Sequence, residues 1–192
     1  MLRVIAGKYK GRRLSTAGIE CAKPTSGRGR QAVFDILSNL ANIGSKETLD
    51  GACVVDCFAG TGAFGIEAAS RGAQEVIFIE QSSSNCALIK INAKFLVEKC
   101  TILNSDLFLV PKDKISRGSV DLMFLDPPYN KNFIGRCLEY VLNNGWLCNR
   151  ALLVLEAEAG FNLKLPKRLV EEKTRIISSS KFTVIRYIDS GI

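Results

Sequence analysis

Apolar positions along this chain follow two alternating patterns. Residues 53–57 (Cys-Val-Val-Asp-Cys), 76–79 (Val-Ile-Phe-Ile), 101–103, 120–125 and 152–156 are short, nearly continuous apolar runs, as strands buried on both faces require. Helices are expected between them, from 63 to about 71, from a Ser82 or Ser83 cap to about 97, and from about 132 to 143. Strands alternating with helices from 53 to 156 build βαβ units and a parallel sheet. Residues 171–178 and 181–188 read as a closing antiparallel hairpin. Upstream, residues 2–6 and 12–16 read as two short strands around a basic tip, Lys8-Tyr9-Lys10, bounded by Gly7 and Gly11. A helix capped by Thr25 or Ser26 then runs to about Ala41, with Val33, Phe34, Ile36, Leu37 and Leu40 on its apolar face.

Composition narrows the class. The 192 residues are 47% hydrophobic, enough for one domain with a small appendage, divided here as 1–42 and 43–192. No apolar run is long enough to span a membrane, and a cytoplasmic protein is expected. The seven cysteines are odd in number and contain no Cys-x-x-Cys, so neither a disulfide framework nor a zinc site is indicated. Histidine is absent, which excludes His-based triads, His metal sites and His general bases. The net charge of +7 is entirely N-terminal. Arg3, Lys8, Lys10, Arg12, Arg13, Lys23, Arg28 and Arg30 face a single acid, Glu20, before residue 32, and the remainder is balanced. Such clustering suggests a polyanionic partner.

Candidate chemistry gathers after the strand runs. Leu125-Asp126-Pro127-Pro128-Tyr129 ends the 120–125 run with a stiff extended turn, because neither proline can donate to a sheet ladder. Its carbonyls, the Asp126 carboxylate and the Tyr129 ring can grip a planar amino-bearing group. Asp56 to Gly65 reads D-x-F-x-G-x-G-x-x-G, a turn that lets backbone approach a ligand closely. Glu80, 20 residues after Gly60, can accept both hydroxyls of a ribose. The glycines alone fit NAD equally well. Asp56 favours an ammonium group over a pyrophosphate, and Asp106 can accept an adenine amino hydrogen. Four strand ends thus present Asp56, Glu80, Asp106 and Asp126, a set suited to an amino-acid nucleoside sulfonium.

With these motifs the chain resembles the class I S-adenosylmethionine-dependent methyltransferases, and within them the RsmD-type enzymes that methylate guanine N2 in 16S ribosomal RNA. The resemblance is carried by Arg3 to Gly7 with Gly11 to Leu14, Lys23-Pro24-Thr25 with Arg28 and Arg30, Asp56 to Gly62 with Gly65 to Ala68, Asp126 to Tyr129, and Asn144 to Leu147. Gly27 and Gln31 stand where the family usually has acidic residues. The resemblance implies a Rossmann-like, seven-stranded, mostly parallel sheet with a C-terminal antiparallel hairpin. It implies that Asp56, Phe58, Ala59, Gly60, Thr61, Gly62, Glu80, Gln81, Asp106 and Leu107 bind S-adenosyl-L-methionine. It further implies that Asp126, Pro127, Pro128 and Tyr129 hold the target base, and that the eight N-terminal cations contact RNA.

The expected enzyme is a monomer acting on 16S ribosomal RNA within a small-subunit particle. Asp126 and the Pro127 carbonyl would accept the amino hydrogens, aiming the nitrogen lone pair at the methyl group. Tyr129 would stack on an extruded base. Three rivals stand beside it: an adenine-N6 methyltransferase on DNA or RNA, a non-catalytic RNA-binding assembly factor, and an NAD-dependent oxidoreductase.

Overall fold

A computed structural model describes residues 1–17, 27–127, 131–162 and 164–189. The buried apolar runs form strands β1 (Cys53–Cys57), β2 (Glu75–Glu80), β3 (Lys99–Asn104), β4 (Val120–Leu125) and β5 (Leu147–Glu158). Strands β6 (Leu169–Ile177) and β7 (Ser180–Tyr187) follow. The helices are α1 (Gly27–Ser38), α2 (Ala63–Ser70), α3 (Ser83–Ala93) and α4 (Lys131–Asn144). No helix among the described residues is long and apolar enough to cross a membrane.

The seven strands form one sheet in the order β3-β2-β1-β4-β5-β7-β6. The first five are parallel, and β7 runs antiparallel between β5 and β6. Strand order reverses between β1 and β4, the chain adding strands first to one side of β1 and then to the other, so the crevice for a ligand lies at their carboxyl ends. Alternate residues feed two cores. Val54, Val76, Phe78, Leu122, Phe124, Leu152 and Val154 pack under the N-terminal hairpin, α1, α2 and α3. Val55, Ile77, Ile79, Met123, Leu125 and Leu153 pack under α4 and two short 3-10 turns at 107–109 and 112–114. Phe34 of α1, Phe64 of α2 and Phe124 of β4 stack through the first core, with centroids 4.8 and 3.9 Å apart.

Helix α1 ends at Ser38, short of Ala41, and three other departures from the sequence reading have identifiable local features. Helix α3 stops at Ala93 rather than near Val97, because Phe95 turns away to meet Tyr9 edge-on at 5.1 Å and Arg12 at 4.5 Å. Strand β5 starts at Leu147 instead of 152, pairing Leu147 with Val120 before a register shift, with Arg150 at φ 66°. The N-terminal strands reduce to one bridge between Arg3 and Arg13. The Thr25 and Ser26 cap positions lie outside the described residues.

One buried carboxylate docks the hairpin backbone. Glu67, fully buried on α2, accepts the backbone N–H of Ile5 at 2.7 Å and of Ala6 at 3.0 Å, and the Arg71 Nε–H at 2.8 Å. Arg30 of α1 lies 3.8 Å away, also buried, and donates to the Arg3 carbonyl at 2.7 Å. Gly7 closes this contact at φ +80°, where an added Cβ would sit 1.7 Å from the Ser70 carbonyl oxygen. On β7, Arg186 donates to the carbonyls of Ala41, Asn42 and Arg150 and pairs with Glu172.

Removing Glu67 orphans two backbone donors and strands the Arg30 charge in the core. Glu67→Ala is expected to lower unfolding free energy by about 3–5 kcal/mol, the cost of breaking a buried pair from one side. In urea titrations, Glu67→Leu combined with Arg30→Met should recover part of that loss; strictly additive losses would show that the two groups do not interact.

Candidate active site

The loop after β1 is shaped by its own backbone. Phe58, Gly60 and Gly62 all have positive φ (59°, 53° and 74°), and Gly62 caps α2 in the left-handed conformation. Ala59 donates to the Ile79 carbonyl at 3.2 Å and Gly62 to the Ala59 carbonyl at 2.7 Å. The glycines serve different ends. A Cβ on Gly65 would strike Phe78 at 2.5 Å and Val76 at 2.7 Å, so that glycine permits helix-to-sheet packing. A Cβ on Gly60 would meet only the Phe58 carbonyl, at 3.9 Å, leaving an open cradle over the strand ends.

Glu80 fixes that cradle from the neighbouring strand. One carboxylate oxygen accepts the Gly60 N–H and the other the Ser82 N–H, both at 2.8 Å. A carboxylate accepts up to about four hydrogen bonds, so acceptor capacity remains for a diol. Asn104 at the end of β3 donates to the carbonyls of Glu80 and Gln81 at 3.1 and 2.9 Å, which sets the spacing of the two tips. Gln81 is exposed beside them. Asp106 accepts the Phe108 N–H at 2.9 Å and starts the first 3-10 turn, half-buried. Asp126 is half-buried and Pro127 buried at the end of β4. Pro128 and Tyr129 lie outside the described residues.

Two expected site residues take different roles. Asp56, expected to meet a ligand ammonium, is 1% exposed and lies beneath the loop, where it accepts the Gly65 N–H at 2.9 Å. It shapes the cradle from below. Arg30, expected at RNA, is 1% exposed and engaged with Glu67 and the Arg3 carbonyl, out of reach of a phosphate. Burial lowers its pKa against the opposing pull of Glu67 and Asp56. The side chains of Thr61 and Leu107 are likewise buried.

Of the other N-terminal cations, Arg3, Lys10, Arg12, Arg13 and Arg28 are exposed. Lys8 is exposed but paired with Glu98 at 3.0 Å, and Lys23 lies outside the described residues. The hairpin tip rests on Ser70, where α2 ends, and on Glu98, just before β3 begins. It therefore sits at the opposite end of the sheet from the crevice, roughly 17 Å away by the length of a five-residue strand.

Sequence reasoning missed the link between hairpin and crevice. Asn92 of α3 accepts the Ser15 N–H at 2.7 Å and donates to the carbonyls of Ser15 and Thr61, each at 3.0 Å. Its signal was a polar residue on the buried stripe with Leu88 and Ile89.

A family model described as Conserved hypothetical protein 95 matches residues 2–186. A Haemophilus influenzae protein named ribosomal RNA small subunit methyltransferase D is 32% identical, the match covering 93% of this chain and 91% of that one. A solved Escherichia coli structure, provisionally named a methyltransferase, superposes with a TM-score of 0.78 over 97% of this chain and 98% of its own, at 24% identity. An RNA methyltransferase from Salinibacter ruber, solved with S-adenosyl-L-homocysteine, has a TM-score of 0.61 over 88% of this chain and 96% of its own, at 15% identity. The two superpositions establish the class I methyltransferase fold.

Burial pushes the Asp56 carboxyl up from 3.8 to about 7, with the nearby Glu80 charge adding to it and the Gly65 N–H and Arg30 opposing. The folded state then binds a proton more tightly than the unfolded chain. This contribution is fully present below about pH 4 and is lost as pH rises through about 7. Each tenfold gain in proton affinity on folding is equivalent to about 1.4 kcal/mol. Asp56→Asn should flatten the fall in unfolding free energy between these pH values. An unchanged slope in denaturant titrations would place the ionised carboxylate in the fold at no cost.

Proposed function

This chain belongs to the Conserved hypothetical protein 95 family, and from that membership we propose that it transfers a methyl group from S-adenosyl-L-methionine to the exocyclic N2 amino group of a guanine in 16S ribosomal RNA. The observation carrying the reading is the Haemophilus influenzae relative, named for small-subunit ribosomal RNA methylation and matched over nearly the whole of both chains. The crevice supports it chemically. The open face of Gly60 and the doubly anchored Glu80 carboxylate fit a nucleoside with a ribose diol, and the half-buried Asp106 carboxylate, which accepts the Phe108 N–H with one oxygen, is the proposed acceptor for an adenine amino group. When bound, the cofactor supplies an electrophilic methyl group on a sulfonium.

The chain's own residues supply position. Asp126 and the Pro127 carbonyl accept the hydrogens of the target amine, which favours a tetrahedral nitrogen with its lone pair aimed along the transfer direction. Pro127 makes that carbonyl stiff, and held geometry supplies most of the rate. The methylated nitrogen is transiently cationic and loses its proton afterwards, so no histidine base is required. Tyr129 is the proposed stacking partner of the base. Arg3, Lys10, Arg12, Arg13 and Arg28 are proposed phosphate contacts on a structured substrate, and residues 1–42 form the RNA-directed part of the molecule. The substrate is proposed to be the small-subunit particle and the enzyme a monomer.

Mass spectrometry of ribosomal RNA nucleosides, with and without the protein, tests the reaction: N2-methylguanosine should rise. N6-methyladenosine rising in its place would transfer the assignment to adenine. Asp126→Ala is expected to abolish methyl transfer while cofactor affinity stays nearly constant; full activity in the folded variant would remove Asp126 from the mechanism. Glu80→Ala should weaken cofactor binding by about 1.5–3 kcal/mol, the range for hydrogen bonds to a charged group. Calorimetry giving wild-type affinity would show that Glu80 does not hold the ribose.

A further inference from the structure

One face of α4 carries Phe133, Arg136 and Tyr140, spaced three and four residues apart and so aligned on a single stripe. The stripe continues an aromatic wall around the crevice. Phe58, from the loop after β1, lies 5.9 Å from Phe133. Phe108, from the turn after β3, lies 5.4 Å from Phe133 and 5.3 Å from Tyr140, both edge-on. The wall is anchored behind: the Tyr140 hydroxyl donates to the Val110 carbonyl at 3.2 Å, and its ring meets the buried Trp146 at 5.9 Å.

The front of this wall is accessible. Phe58, Phe108 and Phe133 are half-buried, and Leu109 next to Phe108 is 74% exposed. Arg136 is exposed, its guanidinium 4.8 Å from the centre of the Phe108 ring, and it has no ion-pair partner among the described residues. Helix packing alone requires neither an exposed leucine nor an unpaired cation at this spot. A nucleotide satisfies both features, its base covering the rings and its phosphate meeting the cation.

We infer that Phe133 and Arg136 form a subsite for an unpaired RNA nucleotide flanking the target base, an inference that rests on the reading of the chain as an RNA methyltransferase. The purine of the cofactor shares the ring chemistry, but the cofactor has no phosphate for Arg136. The subsite lies on the crevice side of the sheet, whereas the basic hairpin tip lies at the other end. RNA reaching the reaction centre then needs a local grip that the tip does not give.

The test is binding of a short single-stranded RNA, and of the same RNA with abasic positions, to wild type and variants, with cofactor calorimetry alongside. Phe133→Ala should weaken binding of the intact RNA about fivefold to a hundredfold, the effect of losing one base–aromatic stack. Phe133→Leu keeps apolar bulk without a ring and should show most of the same loss, while Phe133→Trp should bind like wild type. Abasic RNA should erase the differences among these variants. Arg136→Gln should reduce the log–log salt slope by about 0.7, one phosphate contact on a single strand. Wild-type RNA affinity in both Phe133→Ala and Phe133→Leu would overturn the subsite. A loss of cofactor affinity with RNA binding unchanged would overturn it too and give the wall to the adenine. Methyl incorporation by the wild-type protein is read separately: its absence would sink the proposed function, whereas its presence with unaltered RNA binding in the variants sinks the subsite alone.

Discussion

A single buried carboxylate, Glu67, holds the N-terminal layer to the sheet. Burying a charge is costly unless it is fully hydrogen-bonded and opposed by charge. Glu67 meets both conditions by accepting from the hairpin backbone and from Arg71 on its own helix, with the buried Arg30 guanidinium of α1 opposing its charge from 3.8 Å. Because those partners come from both sides of residues 18–26, the hairpin and α1 are registered against α2 together. Gly62 caps α2, so the register also reaches the loop that forms the crevice. Asn92 ties the same two regions by a second route, through Ser15 and Thr61. The N-terminal segment and the loop after β1 are thereby coupled mechanically, although the net positive charge belongs to the first alone.

The crevice itself rests on division of labour among residues that look alike in sequence. Gly60 leaves room, Gly62 turns the chain, and Gly65 lets α2 approach the sheet. Among the carboxylates, Asp56 acts from beneath and Glu80 braces the loop laterally, while Asp106 and Asp126 stand half-buried at their strand ends. Side-chain type was enough to bring these groups to one edge of the sheet. Depth, which separates a bracing residue from one that meets ligand, depends on loop conformation.

Much of the fold was readable because β1, β2 and β4 are buried on both faces and leave nearly continuous apolar runs, and because the glycine spacing marks the first turn. Features set by distant partners were not readable. The early end of α3 depends on Tyr9 and Arg12, more than 80 residues upstream of Phe95. Arg30 looked like a solvent-facing cation in a basic stretch, and only the position of Glu67 shows it to be interior. The aromatic wall is assembled from three separate loop and helix positions, none of which carries a motif.

The placement of β7 between β5 and β6 also bears on how the chain reaches this state. Arg186 closes contacts with the carbonyls of Ala41 and Asn42 across 145 and 144 residues of sequence. Such separations raise contact order, and folding slows as loop-closure entropy is incurred before the contacts form. Until β7 arrives, β5 keeps an unpaired edge bearing Leu152, Leu153, Val154 and Leu155, a ready template for strands of other chains. The most aggregation-sensitive moment in the life of this molecule is therefore the interval before residues 180–187 slot between β5 and β6.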